Sequence, residues 1–293
     1  MTSCGHDRMK AEVDFLNYAA VVVPRFVPKL IRSDFDRRCV VMEYVEGCQY
    51  PEGIAPQWCD VKAAVDFFRQ LNSDHRLAKK HLSLAAAEGF LSLREHIANI
   101  QARQNGMYTD HLPINIRQKA GKLLATLNEQ TDRIAGWTEA LISSGTVTDA
   151  LTAESRIVSP SDFGFHNAIR TPTGVKFFDF EFAGWDDPAK ATADFILQPR
   201  VPTALGTSPL LDSLSSEIRD EIQSRYEVLG VILRLKWLAI ILSILKPYRI
   251  TQLVQNHKDI NIEVLAQNRI ETAAKYLSEE KPFGLHRLYV PAA

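Results

Sequence analysis

A short strand–turn–strand signal between residues 156 and 182 constrains the fold of this 293-residue chain more than any other feature. The segment reads RIVSPSDFGFHNAIRTPTGVKFFDFEF and interrupts a pattern that is helical on both sides. Its apolar and β-branched runs predict two strands, Asn167–Arg170 and Val175–Phe182. Pro172 and Gly174 stand between them, at positions where a tight turn favours these residues. We therefore expect an antiparallel hairpin here.

The predicted hairpin brings oxygen-bearing side chains near one another. Antiparallel pairing sets Asn167 opposite Phe178 or Asp179, and directly opposed residues have Cβ atoms about 4.5–5.5 Å apart. An amide oxygen and a carboxylate at this separation suit Mg²⁺, which takes one or two protein ligands and completes its octahedron with phosphate and water. Asp162 precedes Asn167 by five residues, on the loop that enters the hairpin. Its carboxylate can accept a proton from an incoming hydroxyl there.

These residue types also have ordinary structural uses. Asp162 can cap a turn, and Asn167 and Asp179 can satisfy nearby backbone groups. For any single residue, that interpretation would be preferred. The D-x₄-N-x₁₁-D spacing across one predicted hairpin instead favours a joint role for the three residues as a base and a metal site.

Helical patterns fill most of the remaining chain. Apolar residues at helical spacing predict a first helix that ends by Pro24. Two extended segments follow, Lys29–Arg32 and Arg38–Val45, and the second is apolar on both faces, as a buried strand would be. The pattern is helical again over Cys59–Ser144 and after Pro188. We therefore predict an α+β protein with a small strand-bearing part and a larger helical part.

Composition and charge argue against several classes of protein. With 34 Lys and Arg against 35 Asp and Glu, the net charge is −1, so we expect no nucleic-acid partner. The most apolar stretch, Val228–Leu245, carries Arg234 and Lys236 at its centre, where each would cost about 2.5–3.5 kcal/mol in a membrane. We interpret this stretch as a core helix whose cations reach solvent, and we expect no membrane partner.

Cysteine usage points to a reducing compartment. The four cysteines, Cys4, Cys39, Cys48 and Cys59, are too few and too widely spaced for a disulfide scaffold or a zinc site. Free thiols of this kind predict a cytoplasmic protein. The opening MTSCGHDRMKAEVDFL has no apolar core behind a basic segment, so no secretory signal is predicted.

The segments SDFGFHNAIR and VKFFDFEFAGWDDPAKATADF resemble the aminoglycoside phosphotransferase and choline kinase group, whose fold is that of protein kinases. In that family, an asparagine follows the catalytic-loop aspartate by five residues and a metal-binding aspartate comes later. The resemblance implies that Asp162 is the catalytic base, Asn167 a metal ligand and Asp179 the principal metal ligand. It also implies ATP or GTP and Mg²⁺ as cofactors, with a small-molecule hydroxyl as acceptor.

The resemblance extends to the nucleotide base. VVMEYVEG is similar to the segment that links the two lobes in the family, where backbone groups meet adenine. The residues implied to lie around the base are Met42, Glu43, Tyr44, Val45 and Phe178.

Two further residues and a domain division follow from the same resemblance. Glu12 resembles the acidic residue of the lobe helix that pairs with the nucleotide-binding lysine. Asp194 resembles the aspartate that braces the catalytic loop from the following helix. The implied fold is bilobal, with residues 1–46 as a truncated amino-terminal lobe and residues 47–293 as a large, mainly helical carboxy-terminal lobe.

The sequence departs from the family pattern in three places. Pro160 stands where a histidine usually precedes the catalytic aspartate, and His166 is interpreted as a packing or turn residue. The chain opens almost directly in the helix of Glu12, without the family's glycine-rich turn and lysine strand. Lys10 lies on that same helix and cannot replace the strand lysine. We therefore expect weak nucleotide binding, because the phosphate clamp is missing from this sequence.

Trp185 has two interpretations. Flanked by Glu181, Asp186 and Asp187, it can hold a cationic substrate through cation–π and ion-pair contacts. It can equally belong to a solvated turn that closes onto Pro188, and we prefer the turn.

Three hypotheses of function follow. The first is a small-molecule phosphotransferase that moves the γ-phosphate of ATP or GTP to a hydroxyl. The second is a non-catalytic kinase-like module that binds a nucleotide or a partner, and the third is a truncated gene product without a selected function. We also expect this chain to self-associate or to need a partner through the face between Glu12 and Val45, because a two-stranded ribbon leaves an edge that other chains can join.

Overall fold

The computed structural model describes residues 6–203, 208–256, 261–279 and 283. The chain divides into two compact units. The first, here called the site unit, comprises Thr2–Leu91 and Ala150–Tyr226. The second, here called the helical unit, comprises Met1, Ser92–Asp149 and Glu227–Ala293. Of the predicted free thiols, Cys39, Cys48 and Cys59 are free and exposed, and Cys4 lies outside the described residues.

The predicted mixture of helices and short strands is confirmed. The helices are α1 (Arg8–Val22), α2 (Trp58–Leu71), α3 (His75–His81), α4 (Leu93–Gln104), α5 (Ile114–Ser143), α6 (Pro188–Leu197), α7 (Ser208–Leu211), α8 (Ser216–Ile241), α9 (Pro247–Asn256) and α10 (Ile262–Ser278). The strands are β1 (Leu30–Asp34), β2 (Cys39–Met42), β3 (Cys48–Gln49), β4 (Ile157–Ser159), β5 (Ala168–Thr171), β6 (Gly174–Phe177) and β7 (Gly184–Asp186). They form three antiparallel sheets, β1–β2, β3–β5–β6 and β4–β7.

The predicted hairpin is present as β5 and β6. Its two-residue turn is Pro172–Thr173, and Ala168 lies opposite Phe177. The second strand ends at Phe177, so the prediction that it continues to Phe182 is wrong. Asp179 adopts a φ of 65°, in the left-handed region, and this conformation cannot continue an extended strand.

The ribbon of β1 and β2 is more exposed than predicted. Within the described residues β2 pairs only with β1, and the two strands lie against α1. Val40 and Met42 are half-buried, whereas Val41 is 45% exposed. The prediction of a strand buried on both faces is therefore wrong, because one face of this ribbon packs on the protein and the other faces outward.

Aromatic side chains form the core beneath the loop that carries Asp162. Phe163 lies with its ring 4.6 Å from that of Phe195 and 5.5 Å from that of Phe67. Phe67 in turn stacks on Phe177 at 4.9 Å. These rings are buried, and burial of each large apolar side chain contributes about 1.5–3 kcal/mol to stability. The packing therefore ties the loop to α2, α6 and the hairpin.

In the helical unit, α5 packs against α4 and α10. Helix α4 begins with a capping box, in which the Ser92 hydroxyl accepts from the Glu95 amide and the Glu95 carboxylate accepts from the Ser92 amide. Arg94 in the first turn of α4 joins Glu139 at 2.8 Å and Asp149 at 2.9 Å. These ion pairs are solvent-exposed, so they contribute little to stability compared with the helix packing.

The apolar stretch that contains Arg234 lies in a helix with mainly buried side chains. Ser216–Leu245 is long and apolar enough to span a membrane by length and composition, and 83% of its most apolar window is buried. Arg234 is only 4% exposed and donates to the carbonyl oxygen of Glu279 at 2.8 Å. Lys236 is also buried, so the prediction that both cations reach solvent is wrong. The Arg234 guanidinium satisfies carbonyls at the end of α10, which have no partner within that helix.

Candidate functional site

The loop that follows β4 presents Asp162 just before two buried aromatic residues. Phe163 and Phe165 point into the core, and the Asp162 side chain keeps 35% of its surface exposed. Each oxygen of the Asp162 carboxylate contacts a neighbouring side chain. Nε2 of His166 lies 3.1 Å from Oδ1, and the Asn167 amide donates to Oδ2 at 3.2 Å and to the Asp162 carbonyl at 3.1 Å.

The hairpin pairs Asn167 with Phe178, as predicted. The amide of Phe178 donates to the carbonyl oxygen of Asn167 at 3.0 Å, which places Asp179 one residue beyond the paired position. The pKa of Asp179 is raised by partial desolvation and by the neighbouring carboxylates of Glu181 and Asp162. The hairpin thus gathers Asp162, Asn167 and Asp179 into one site.

Glu12 on α1 joins this acidic group. Desolvation by burial raises the pKa of its carboxylate, the backbone amide of Phe180 opposes this shift, and the charges of Asp179 and Glu181 add to it. Glu181 forms an ion pair with Arg8 at 3.1 Å. Glu12 is thus half-buried and faces other carboxylates.

The donor set at Asn167 and Asp179 fits a hard divalent cation. Burial, and then the charges of Glu181 and Asp162, raise the pKa of Asp179, and a bound cation would favour its ionised form. Within the described residues, no three His, Cys, Asp or Glu side chains converge in a geometry that could hold a metal ion. Mg²⁺ needs fewer protein ligands than such a cluster, because phosphate and water complete its octahedron.

Two cavities meet at Phe178. The smaller has a volume of about 200 Å³ and is lined by Pro28, Met42, Glu43, Tyr44, Val45, Ile169, Lys176, Phe177 and Phe178. The larger has a volume of about 500 Å³ and is lined by Gln49, Tyr50, Pro51, Glu52, His166, Asn167, Phe178, Arg200 and Val201. The structure therefore brings all the residues predicted around the nucleotide base to one cavity, beside a second cavity that reaches Asn167.

The segment that follows β2 leaves backbone groups available in the smaller cavity. The amide of Glu43 donates to the Lys29 carbonyl at 2.8 Å, and the Glu43 carboxylate pairs with Lys176 at 2.9 Å. Tyr44 is 89% exposed. The amides of Tyr44 and Val45 make no hydrogen bond within the described part of the chain. A ligand that enters this cavity meets those groups rather than the amide of Glu43.

Asp186 and Trp185 form neither the predicted substrate site nor the predicted solvated turn. Both lie in β7, so the solvated turn is wrong. Asp186 is fully buried and pairs with Lys190 at 2.7 Å, which prevents contact with a substrate. The Trp185 indole donates to the carbonyl of Leu82 at 3.0 Å. Glu181 keeps 31% of its side chain exposed, but its carboxylate faces Arg8.

A buried charge network lies behind the loop of Asp162. Lys190 is 1% exposed and lies 3.6 Å from Asp194 as well as 2.7 Å from Asp186. Burial alone would lower the pKa of Lys190, but the two carboxylates outweigh it and raise that pKa. Lys190 also lies 3.5 Å from the hydroxyl of Ser161, the residue before Asp162. Asp194 is thus linked toward the loop through Lys190.

A second buried ion pair completes this network. Arg225 of α8 lies 3.0 Å from Asp187, and both side chains are fully buried. Burial raises the pKa of Asp187 to about 6, although Arg225 opposes the shift. Asp187 also caps α6, since its carboxylate accepts from the amides of Ala189 and Lys190. The network fixes the start of α6, which packs under the loop through Phe195.

Sequence reasoning missed two residues of this site. Lys190 had a local signal, because it stands four residues after Asp186 and four before Asp194. His166 had a weaker signal, because it stands four residues after Asp162. The sequence did not predict that the loop brings these two side chains into contact. The short helical turn at Phe165–Asn167 supplies that geometry.

The sequence matches no protein-family model and no curated protein. The structure is similar to that of a choline/ethanolamine kinase family protein from Mesorhizobium loti, with a TM-score of 0.52 and 14% identity, over 95% of this chain and 81% of that chain. It is also similar to a protein from Ralstonia eutropha described as an aminoglycoside phosphotransferase, with a TM-score of 0.51 and 12% identity, over 92% of this chain and 82% of that chain.

These similarities establish the fold. The chain has the α+β, protein-kinase-like fold of those two structures, as the resemblance of its hairpin motifs predicted. At 12–14% identity, the assignment of activity depends on the chain's own residues.

Proposed function

We propose that this protein is a small-molecule phosphotransferase that transfers the γ-phosphate of ATP or GTP to a substrate hydroxyl. The observation that carries the proposal is the contact between Asp162 and Asn167, next to Asp179 across one hairpin. A carboxylate base and two oxygen ligands for a cation are the parts that phosphoryl transfer requires. The two similar structures share this fold and are described as a kinase family protein and a phosphotransferase.

Asp162 is the proposed base. Its carboxylate is partly exposed, so a hydroxyl can reach it, while His166 and Asn167 restrict its orientation. A positioned carboxylate that accepts the hydroxyl proton contributes about 10²–10⁴-fold to such a reaction. Positioning and charge neutralisation supply the remainder, because the protein has little covalent chemistry to perform.

Asn167 and Asp179 are the proposed ligands of Mg²⁺. When bound, the ion would neutralise negative charge on the phosphates. Glu12 lies near the same segment, since the Phe180 amide and the charge of Asp179 both influence the pKa of its carboxylate. Burial and mutual repulsion raise the pKa values of Glu12 and Asp179, so their ionised forms oppose folding, and a functional cation site would explain why these acids stand together.

The smaller cavity is the proposed site of the nucleotide base. It combines the apolar side chains of Met42, Val45 and Phe178 with the amides of Tyr44 and Val45, which are unpaired among the residues that the structure describes. An apolar slot with a few backbone groups is typical of a site for a flat heteroaromatic ring. The larger cavity continues from Phe178 to Asn167, and we assign it to the rest of the nucleotide and the acceptor hydroxyl.

The acceptor is proposed to be a small molecule rather than a macromolecule. The larger cavity has a volume of about 500 Å³, within the range of about 300–1,000 Å³ common for small-ligand sites. Arg200 and Glu52 form an ion pair at its rim, 2.8 Å apart, so the rim offers both signs of charge to a polar acceptor.

The direct test is phosphate transfer from radiolabelled Mg·ATP or Mg·GTP to a panel of hydroxyl compounds. The panel should include choline, ethanolamine and several aminoglycosides, the compounds named for similar structures. We expect labelled product with the parent protein and almost none with Asp162→Asn. Equal labelling by both proteins would contradict the assignment of Asp162.

A second candidate is a kinase-like module that binds nucleotide without turnover. It is favoured by the surroundings of Glu12, whose carboxylate faces Asp179 and Glu181. The same experiment separates the two functions when it is combined with a binding measurement. Mg²⁺-dependent nucleotide binding without transfer to any acceptor would identify the module.

A further inference from the structure

We propose that His166 is a positioning residue for Asp162, a role that rests on the proposed function. Nε2 of His166 lies 3.1 Å from Oδ1 of Asp162, within hydrogen-bond distance. The sequence pattern led us to interpret His166 as a packing or turn residue. Its side chain is only 6% exposed, yet its ring lines the larger cavity, so it reaches the site from the protein interior.

The chemistry of the contact fixes which ring nitrogen carries hydrogen. An ionised carboxylate only accepts hydrogen bonds, so Nε2 of His166 must be the donor to Asp162. Nδ1 is the ring nitrogen that does not contact Asp162. This atom is buried and has no hydrogen-bond partner within the described residues, so nothing there competes for the orientation of the ring.

The imidazole is held in place by close packing at Gly164. A Cβ atom at this position would lie 2.7 Å from Nδ1 and 2.9 Å from Cε1 of His166. Both distances are shorter than van der Waals contact. The φ of Gly164 is 172°, which is extended backbone that any residue adopts. Glycine is therefore needed at this position for space, and that space is filled by the His166 ring.

Two different side chains orient the two oxygens of the base. His166 donates to Oδ1 of Asp162, and Asn167 donates to Oδ2 at 3.2 Å. A carboxylate held at both oxygens loses little freedom when a hydroxyl binds, and such preorganisation lowers the barrier of a bimolecular step. The inferred role of His166 is thus to act through Asp162, without itself contacting the transferred group.

Three variants test the role in kinetics with Mg·ATP and the best acceptor of the panel. His166→Phe keeps a ring but removes the donor, and we expect kcat to fall by about 10–100-fold with little change in KM for Mg·ATP. His166→Gln restores an N–H donor and should recover part of the loss. Gly164→Ala should lower kcat by displacing the ring. Its matched control is Gly136→Ala on α5, where a Cβ meets nothing within 4 Å.

Nitrogen-15 spectra of the imidazole provide a readout that needs no activity. We expect the parent to show the tautomer with hydrogen on Nε2, and Asp162→Ala to show a mixture of tautomers. A mixture in the parent, or parental kcat in His166→Phe, would overturn the inference. A parent that transfers no phosphate overturns the proposed function instead, and the spectra still decide whether His166 donates to Asp162.

Discussion

The side-chain amide of Asn167 donates a hydrogen bond to Oδ2 of Asp162 across 3.2 Å. The proposed metal ligand and the proposed base are therefore in direct contact. The same residue pairs through its carbonyl with the amide of Phe178, one position before Asp179. A substitution at the hairpin can therefore alter the position of the Asp162 carboxylate. The roles of Asp162, Asn167 and Asp179 must be separated by experiment.

Asp162→Asn separates the base from the nucleotide site. Asparagine has nearly the shape of aspartate but cannot take up the hydroxyl proton, so turnover should fall by about 10²–10⁴-fold. Nucleotide affinity should change little, because Asp179 is untouched. The assay is phosphate transfer beside a binding titration, and Asp132→Asn, at an exposed position of α5, is the control. Loss of both turnover and affinity would show that Asp162 has a structural role.

Glu12→Gln should stabilise the protein at neutral pH. The pKa of Glu12 is raised in the folded state by desolvation and by Asp179 and Glu181, so its ionised form opposes folding. The contribution of Glu12 to the free energy of unfolding therefore falls as the pH rises through the pKa of Glu12 in the unfolded state and then through its higher pKa in the folded state. Glutamine has nearly the same shape and carries no charge.

Thermal unfolding of the parent and Glu12→Gln at pH 7 and below pH 4 measures this effect. We expect a gain of a few degrees at pH 7, limited by solvent screening at a half-buried residue, and no difference below pH 4, where Glu12 is protonated in both states. A variant that is less stable at pH 7 would contradict the repulsion inferred at this site.

Lys190→Met should destabilise the protein strongly. It removes the cation that pairs with Asp186 at 2.7 Å and leaves that carboxylate buried without compensation, which costs about 3–5 kcal/mol. Denaturant unfolding measures the loss, with Lys122→Met on the exposed face of α5 as the control. Adding Asp186→Asn to Lys190→Met should restore part of the stability. Equal midpoints for Lys190→Met and the control would show that the network contributes nothing.

Val41→Lys tests self-association through the β1–β2 ribbon. Val41 is 45% exposed on a strand whose only partner within the described residues is β1. A lysine on such an edge discourages pairing with another chain, so the molar mass from light scattering should fall to that of a monomer. Val254→Lys, at 46% exposure on α9, should leave the mass unchanged. A monomeric parent would refute the expected association.

The hairpin and its pairing could be predicted from the sequence because their signals are local. The turn residues Pro172 and Gly174 and the strand pattern around them fix which residues face each other, and Phe178 does pair with Asn167. The resemblance of the motifs then predicted the protein-kinase-like fold, which the two similar structures confirm. The roles of Asp162, Asn167 and Asp179 remain predictions.

The wrong predictions concern the burial of side chains and the conformation of the backbone, which depend on residues distant in the sequence. β2 looked buried because it is apolar, but no second layer covers Val41 within the described residues. Asp186 looked like a surface acid, whereas Lys190 and the layer formed by β4 and α6 enclose it. The second strand looked longer because no pattern reveals that Asp179 takes a left-handed backbone conformation.

Calorimetric titration of Mg·ATP into the parent and Asp179→Ala, repeated without Mg²⁺, shows whether nucleotide binding depends on a cation held at this hairpin. The account predicts that the parent binds only with Mg²⁺ and that Asp179→Ala loses this binding, because the proposed principal ligand is gone. Asp132→Ala, at an exposed position of α5, should bind like the parent. Equal Mg²⁺-dependent binding by Asp179→Ala and the parent would contradict a phosphotransferase site at this hairpin.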